Sequence, residues 1–128
     1  MIEHIKIELI QTKLQHRFLP KNEIIQVMLN IINNSKDAFL ERNIKNPIIK
    51  IYLKESEQYQ TVCIEDNAGG INNEIISKIF NPYFSTKSKK NGTGLGLYIC
   101  KNILEKDNIG DIFVENTEFG VRFNINIF

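Results

Sequence analysis

The sequence predicts an α+β fold, an α/β sandwich in which one mixed, mostly antiparallel sheet carries about three helices on one face. The chain has 128 residues, the length of one ordinary domain, and 42% of them are hydrophobic, which is enough for a real core. Segments with the alternation of strands lie before, between and after segments with helical periodicity. No linker, repeat or low-complexity segment interrupts them, so we expect a single domain over residues 1–128.

Composition and charge argue against several classes of protein. The formal net charge of +1 argues against a broad nucleic-acid-binding surface. No stretch is apolar for long enough to span a membrane, and Met1–His4 does not begin a signal peptide. Cys63 and Cys100 form no CxxC or Cys/His cluster, so we expect buried, reduced thiols. These features predict a cytoplasmic chain with no nucleic-acid partner and no direct membrane contact.

Two short strands and a long helix are predicted in the first third of the chain. Residues 5–10 and about 14–19 alternate as the strands of a hairpin, which Pro20 ends. Residues 22–43 then form a helix, with Asn22 as its N-cap.

A narrow polar stripe runs along helix 22–43, opposite an apolar face so wide that we expect the helix to be largely buried. Asparagine is a poor helix former, yet Asn30, Asn33 and Asn34 occur within five positions, where exposed helix surfaces usually carry Lys or Glu. We therefore favour a ligand over bulk solvent as the partner of the stripe. The stripe consists of Gln26, Asn30, Asn33, Asn34, Asp37 and Glu41.

Four more strands and two shorter helices are predicted in the rest of the chain. Polar or glycine-containing turns separate the strands of each pair, with Gly120 in the last turn. The strands are residues 48–54, 60–66, 111–116 and 121–127, the helices are about 73–79 and 94–106, and an irregular loop occupies 80–92.

Asp66 is a candidate nucleobase-binding residue because it ends a buried strand and small residues follow it. A carboxylate at this place can accept a hydrogen bond from the exocyclic amine of adenine, whereas guanine has a repelling carbonyl there. Ala68 and Gly70 leave room for a flat base against the backbone. The alternative interpretation is an Asx turn after the strand, which is common.

The stretch Asn91–Ile99 is a candidate phosphate-binding loop. Three glycines alternate with other residues and lead directly into a helix, whose first N–H groups and dipole favour phosphate. The spacing of Gly92, Gly94 and Gly96 is G-x-G-x-G, which disfavours a dinucleotide fold, and the absence of G-x-x-x-x-G-K-[ST] excludes a P-loop.

The amide of Asn34 and the side chain of Lys87 are the other candidate ligand-binding groups. An amide oxygen suits Mg²⁺, although one such ligand does not make a metal site. Phe80, Tyr83 and Phe84 can anchor their loop while Lys87 reaches a phosphate; the alternative is a solvated basic loop.

Four motifs in order resemble the catalytic, ATP-binding domain of bacterial two-component sensor histidine kinases, within the gyrase, chaperone, kinase and mismatch-repair ATPase superfamily. The N box is Asn30–Ala38 and the first glycine box is Asp66–Ile71. The F box is Phe80–Lys87 and the second glycine box is Gly92–Leu97. Their order and spacing agree with the family over about residues 5–127, which is a highly specific signal.

The resemblance implies a Bergerat-type ATP-binding fold with ATP and Mg²⁺ as cofactors. Asn34 would hold Mg²⁺, Asp66 would bind the adenine amine, and loop 80–92 would form a short lid. Ser35 and Ala68 replace a frequent Ala and Gly, and both are small. The implied ATP-binding residues are Asn30, Asn34, Asp37, Asp66, Ala68, Gly70, Ile71, Phe80, Thr86, Lys87, Gly92, Thr93, Gly94, Leu95, Gly96 and Leu97.

The resemblance also separates phosphoryl transfer from hydrolysis. Hydrolysing relatives, and the related anti-sigma-factor kinases, typically carry a Glu base one helical turn before the Mg²⁺ asparagine, where this chain has Asn30. Since an amide is no useful base, we expect γ-phosphoryl transfer to a histidine. The stretch around His16 does not match the family's phosphoacceptor motif, so we expect no catalytic residue in this chain and no phosphorelay without a further domain.

The expected partners are ATP, the dimerisation and phosphoacceptor domain of the same kinase, and a response regulator. We expect the isolated domain to be monomeric and the longer kinase to include a sensor domain, with membrane anchoring left open. The alternative function is a nucleotide-binding regulatory module of the same fold that transfers no phosphoryl group.

Overall fold

Five strands and two α-helices make up the part of the chain that this computed structural model describes, residues 4–10, 19–58, 60–84 and 95–128. The elements are β1 (Lys6–Ile10), α1 (Lys21–Glu41), β2 (Ile48–Glu55), β3 (Gln60–Asp66), a 3-10 turn (Ile76–Lys78), α2 (Gly96–Lys106), β4 (Gly110–Asn116) and β5 (Val121–Ile127). The strand order is β1-β2-β3-β5-β4; β1 and β2 are parallel, and the other neighbours are antiparallel. The prediction of a mixed, mostly antiparallel sheet is therefore confirmed.

α1 packs on the sheet through residues that recur every three or four positions, the spacing of one helix face. Ile31 and Phe39 are fully buried in one core with Ile64 and Phe123 of the sheet. α2 lies beside α1 and buries Cys100 and Leu104. The buried residues of α1 are Ile24, Val27, Ile31, Ser35 and Phe39. Ser35 is the one polar member of this row, which places a hydroxyl between the helix and the sheet.

The buried face of α1 is narrower than its sequence predicts. Ile25, Leu29 and Leu40 are 47%, 54% and 39% exposed. In the described residues the helix packs against the sheet on one side and against α2 on another, so its remaining side keeps apolar groups in solvent.

The prediction that Asn22 caps α1 is wrong. The helix begins at Lys21, Pro20 occupies the capping position, and no side chain bonds the first turn. Instead the Pro20 carbonyl accepts the Ile24 N–H at 3.1 Å. At the other end α1 stops at Glu41 because Asn43 has a φ of 50°, a left-handed conformation that asparagine tolerates and a helix does not.

The predicted bounds of the shorter helices differ from the observed ones. The helix expected at about 73–79 is only a 3-10 turn, because turns anchored on Asn72 precede it and Asn81 closes onto Lys78. α2 begins at Gly96 rather than at 94. The expected strand 14–19 and most of the 80–92 loop fall outside the described residues, and Leu19 is not in a strand. No described helix has the length and apolarity needed to cross a bilayer.

β3 is the central strand of the sheet, and one of its faces carries Asp66. It pairs with β2 on one side and β5 on the other, and all seven of its residues are buried. Ile64 and Asp66 are two residues apart and therefore lie on the same face of the strand, the face that carries α1 and α2. Asp66 thus lies where α1 passes over the end of the sheet.

Both cysteines are buried as predicted, and we expect neither thiol to react in the native chain. Cys63 and Cys100 are 0% exposed. Burial raises the pKa of the Cys63 thiol and raises that of Cys100 to about 11, so the reactive thiolate is scarce at neutral pH. Titration with a chromogenic disulfide should show no fast phase in buffer and two thiols in denaturant. A fast-reacting thiol in buffer would contradict this packing.

Candidate nucleotide-binding site

Asp66 lies at the end of β3 with its side chain beneath α1, and it is 3% exposed. Its Oδ2 accepts a hydrogen bond from the Ser35 hydroxyl at 2.6 Å. Its Oδ1 accepts the Ala68 N–H at 3.1 Å, which is the Asx turn that was the alternative interpretation of this residue. Each carboxylate oxygen has two acceptor positions and uses one here, so the group can still accept from a ligand.

The pKa of Asp66 lies above its ordinary value of 3.8. Burial is the largest cause, and it outweighs the hydrogen bonds from Ser35 and Ala68 and the positive charge of Arg42. The neighbouring carboxylate of Glu65 raises the pKa further. A structural turn does not require a carboxylate buried at such a cost, and perturbed groups of this kind concentrate at functional sites.

The loop after Asp66 packs closely against two other loops. A Cβ on Gly120 would lie 2.1 Å from the Asp66 carbonyl oxygen, so this turn residue has to be glycine for β5 to approach. Asn67 accepts the Ile48 N–H at 2.8 Å and donates to the Asn46 carbonyl at 3.1 Å, which ties the loop to the start of β2.

Asn116, at the end of β4, holds the far side of the same loop. Its Oδ1 accepts the Ile71 N–H and its Nδ2 donates to the Ile71 carbonyl, both at 2.7 Å, as a strand neighbour would. A Cβ on Gly70 would lie 2.9 Å from that Oδ1. Ala68 is buried in the core. Packing against the rest of the protein is therefore a second reason for the small size of Ala68 and Gly70, in addition to the predicted room for a base.

Sequence reasoning missed Asn116 and Arg42 as parts of this site. Arg42 donates to the carbonyl oxygens of Ala68 and Gly70. An asparagine that ends a strand and an arginine that ends a helix carry no local signal of a distant partner. Arg42 lies one residue beyond the predicted stripe's last member, Glu41, which was the only hint available.

The stripe of α1 is partly covered at three positions and open at the others. Asn30, Asn34 and Asp37 are partly buried, while Gln26 and Asn33 are exposed. The predicted binding positions of α1 are therefore the more sheltered ones. Asn34 directly precedes the Ser35 that contacts Asp66, so the backbone positions of the predicted metal ligand and of the predicted base acceptor are close to each other.

The Cys100 thiol of α2 donates to the Val27 carbonyl oxygen of α1 at 3.6 Å, and the nearby Asn30 amide lowers the pKa of that thiol against the larger effect of burial. The thiol of Cys100 therefore connects α2 to α1 beside Asn30. No set of three or more His, Cys, Asp or Glu side chains that could hold a metal ion occurs in the described ranges.

The remaining predicted residues have different placements. Ile71, Phe80 and Leu97 are partly buried against the core. Leu95 precedes α2 and accepts the Ile99 N–H at 2.8 Å, and a Cβ on Gly96 would meet nothing within 4 Å. Thr86, Lys87, Gly92, Thr93 and Gly94 lie outside the described residues.

The comparison with known families decides the kind of site. The family model described as "Histidine kinase-, DNA gyrase B-, and HSP90-like ATPase" matches residues 20–127. The chain belongs to this family. It is thus an ATP-binding domain of the kind that histidine kinases contain, and the resemblance that the four motifs predict is confirmed.

Among curated proteins, the chain is similar to the signal transduction histidine-protein kinase AtoS of Escherichia coli, with 36% identity over 104 residues, covering 78% of this chain and 16% of AtoS. It is also similar to sporulation kinase C of Bacillus subtilis, with 33% identity over 96 residues, covering 75% of the chain and 21% of that kinase. The chain spans about a fifth or less of the length of the curated relatives it matches.

The solved catalytic domain of the histidine kinase ThkA has the same fold. A nucleotide-free form superposes with a TM-score of 0.78 at 33% identity, covering 96% of this chain and 79% of that one. The predicted α+β sandwich of the Bergerat type is therefore confirmed at the level of both sequence and structure.

Proposed function

We propose that this chain binds Mg-ATP and donates the γ-phosphoryl group to a histidine on a dimerisation domain in two-component signalling. The observation that carries the proposal is that the Asp66 carboxylate is buried against Ser35 of the N box and that each of its oxygens keeps one acceptor position for a ligand. Membership of the ATPase family and similarity to sensor kinases support it.

In this proposal Asp66 selects adenine. The amine of the base donates to the carboxylate, while Ser35 and the Ala68 N–H hold the two oxygens in place. Hydrogen bonds to a charged acceptor are stronger than neutral ones. Guanine would present a carbonyl oxygen to the same carboxylate, so we expect GTP to bind more weakly.

The residues of α1 fit a magnesium ion held mainly by the nucleotide. Asn34 offers one partly buried amide oxygen, and the described residues hold no cage of three or more acidic or imidazole ligands. Mg²⁺ takes few protein ligands and keeps waters and phosphate oxygens instead. When bound, it would neutralise charge on the phosphates, and Asn34 would set its position. Lys87 and the second glycine box, Gly92–Leu97, are proposed to contact the phosphates.

Transfer is favoured over hydrolysis because Asn30 replaces the carboxylate base of hydrolysing relatives. An amide is too weak a base to take a proton from water. The nucleophile is then an imidazole from another domain. We propose the phosphoacceptor domain and a response regulator as partners, and a cytoplasmic location. The response-regulator proposal is supported by the solved complex of the histidine kinase ThkA with the response regulator TrrA, in which the ThkA chain is 30% identical to this chain with a TM-score of 0.74.

We expect the chain to label histidine on a separate phosphoacceptor domain when γ-labelled ATP and Mg²⁺ are present. The product should be acid-labile and alkali-stable, as a phosphoramidate is, and should not form when Mg²⁺ is chelated. The chain without that domain should bind ATP and stay unlabelled. If ATP binds and no tested acceptor domain takes label, the regulatory module is the better description, since its bound state acts without transfer.

A further inference from the structure

Arg42 reaches from the end of α1 to the loop that follows β3. We propose that Arg42 is a positioning residue for the nucleobase, which holds the loop so that Asp66 faces the adenine amine. The inference rests on the proposed binding of ATP, and it adds a residue that lies outside the four motifs of the family.

One nitrogen of Arg42 joins two carbonyls of the loop. Its Nη1 donates to the Ala68 oxygen at 2.8 Å and to the Gly70 oxygen at 3.2 Å. Between these carbonyls lies Gly69, whose φ of 99° turns the chain. A Cβ on Gly69 would lie 2.8 Å from Nη1, so the guanidinium and the glycine backbone fit each other. The loop is therefore shaped around this side chain.

The contact is transmitted to the carboxylate through Ala68. Arg42 binds the Ala68 carbonyl, and the N–H of the same residue donates to Asp66 Oδ1 at 3.1 Å. The other oxygen, Oδ2, is held by Ser35. Loss of Arg42 would free the Ala68 peptide while the Ser35 bond remained, so the carboxylate would lose its orientation on one side.

The charge of Arg42 acts in the same direction. The charged groups that act on Asp66 are Arg42, which directly follows α1 and lowers the pKa of Asp66, and Glu65 of β3, which raises it. Arg42 thus favours the ionised form that accepts the amine. Its role is not to end α1, because its own backbone N–H bonds the Ala38 carbonyl and the helix closes without the side chain.

The test compares ATP with purine riboside triphosphate, which lacks the 6-amino group, by calorimetric titration in the presence of Mg²⁺. We expect Arg42→Gln to weaken ATP binding about five- to tenfold, the effect of one or two modest hydrogen bonds, and to change binding of the amine-free nucleotide by less than about twofold. Lys45→Gln is the matched control, because it removes an equal charge from an exposed side chain three residues away and should change neither affinity.

A general loosening of the site would weaken both nucleotides equally, and that result would overturn the inference, as would unchanged ATP binding by Arg42→Gln. Arg42→Lys keeps a cation and is expected to restore most of the preference for ATP over the amine-free nucleotide. If Arg42→Lys showed no more preference for ATP than Arg42→Gln, that result would count against the cation–carbonyl contact. Thermal melts without nucleotide check that each variant is folded. Failure of the unaltered chain to bind ATP would instead overturn the proposed function.

Discussion

Replacing Asp66 with Asn is expected to weaken ATP binding by about ten- to a hundredfold, the range that corresponds to one hydrogen bond with a charged partner. The amide can keep both internal contacts, since its oxygen accepts the Ala68 N–H and its NH₂ donates to the Ser35 hydroxyl. The adenine amine would then meet a neutral amide instead of a carboxylate. The loss should be seen in the dissociation constant for ATP measured with Mg²⁺ present.

The same substitution should leave the free energy of unfolding unchanged or increase it at neutral pH. The pKa of Asp66 is raised above 3.8 in the native state, mainly by burial. The stability linked to this group is therefore fully present below the unfolded pKa and is lost as the pH rises through the raised native value. An amide removes that cost, so Asp66→Asn should gain stability relative to the unaltered chain as the pH rises.

Asp107→Asn is the control for this prediction, because Asp107 is an exposed residue at the end of α2. It should leave the ATP affinity unchanged. As the pH falls, the unaltered chain should lose ATP affinity when Asp66 becomes protonated, and Asp66→Asn should not. Equal ATP affinities for the Asp66 variant and the unaltered chain would remove Asp66 from the binding site.

Replacing Asn34 with Ala is expected to abolish the Mg²⁺ dependence of ATP binding and to stop phosphoryl transfer. Removing a group that supports a bound metal commonly costs at least about tenfold in metal affinity. Binding of nucleotide in the presence of a chelator should change little, because the proposed adenine contact at Asp66 would remain. The measurement is the ratio of ATP affinities with Mg²⁺ and with chelator.

Asn33→Ala supplies the comparison for Asn34→Ala. Asn33 is the adjacent stripe residue and is exposed, whereas Asn34 is partly buried. The two substitutions change helix propensity equally, so a shared effect would report on α1 rather than on the metal. Mg²⁺-dependent binding and transfer that survive in Asn34→Ala would show that another group holds the ion.

The local structure around Asp66 could be predicted in part, because it depends on a short stretch of chain. Asp66 is a candidate because a carboxylate ends an apolar strand and small residues follow. The Asx turn was foreseen for the same reason, and the structure contains it without using all the acceptor capacity of the carboxylate. The extent of the apolar contacts of α1 was overestimated, because a wheel counts apolar residues and does not show how many neighbours surround the helix.

The capping of α1 could not be read correctly from the sequence for a related reason. Asn22 has the side chain of a good N-cap, yet Pro20 fixes a backbone whose carbonyl already accepts the first helical N–H, and the helix begins one residue earlier. Positions at element ends depend on a few competing hydrogen bonds of similar energy, so a small backbone preference decides them.

The sequence by itself determined the five described strands, the two α-helices, the polar stripe of α1 and the family, because periodicity and motif spacing are local properties of the chain. Only the tertiary structure decided what holds the loop after Asp66, residues 67–71. Ser35 and Asp66 are 31 residues apart, Arg42 and Ala68 are 26 apart, and Asn116 and Ile71 are 45 apart. Such contacts exist because α1 crosses the end of β3 and β4 ends beside the same loop, and no local pattern specifies that geometry.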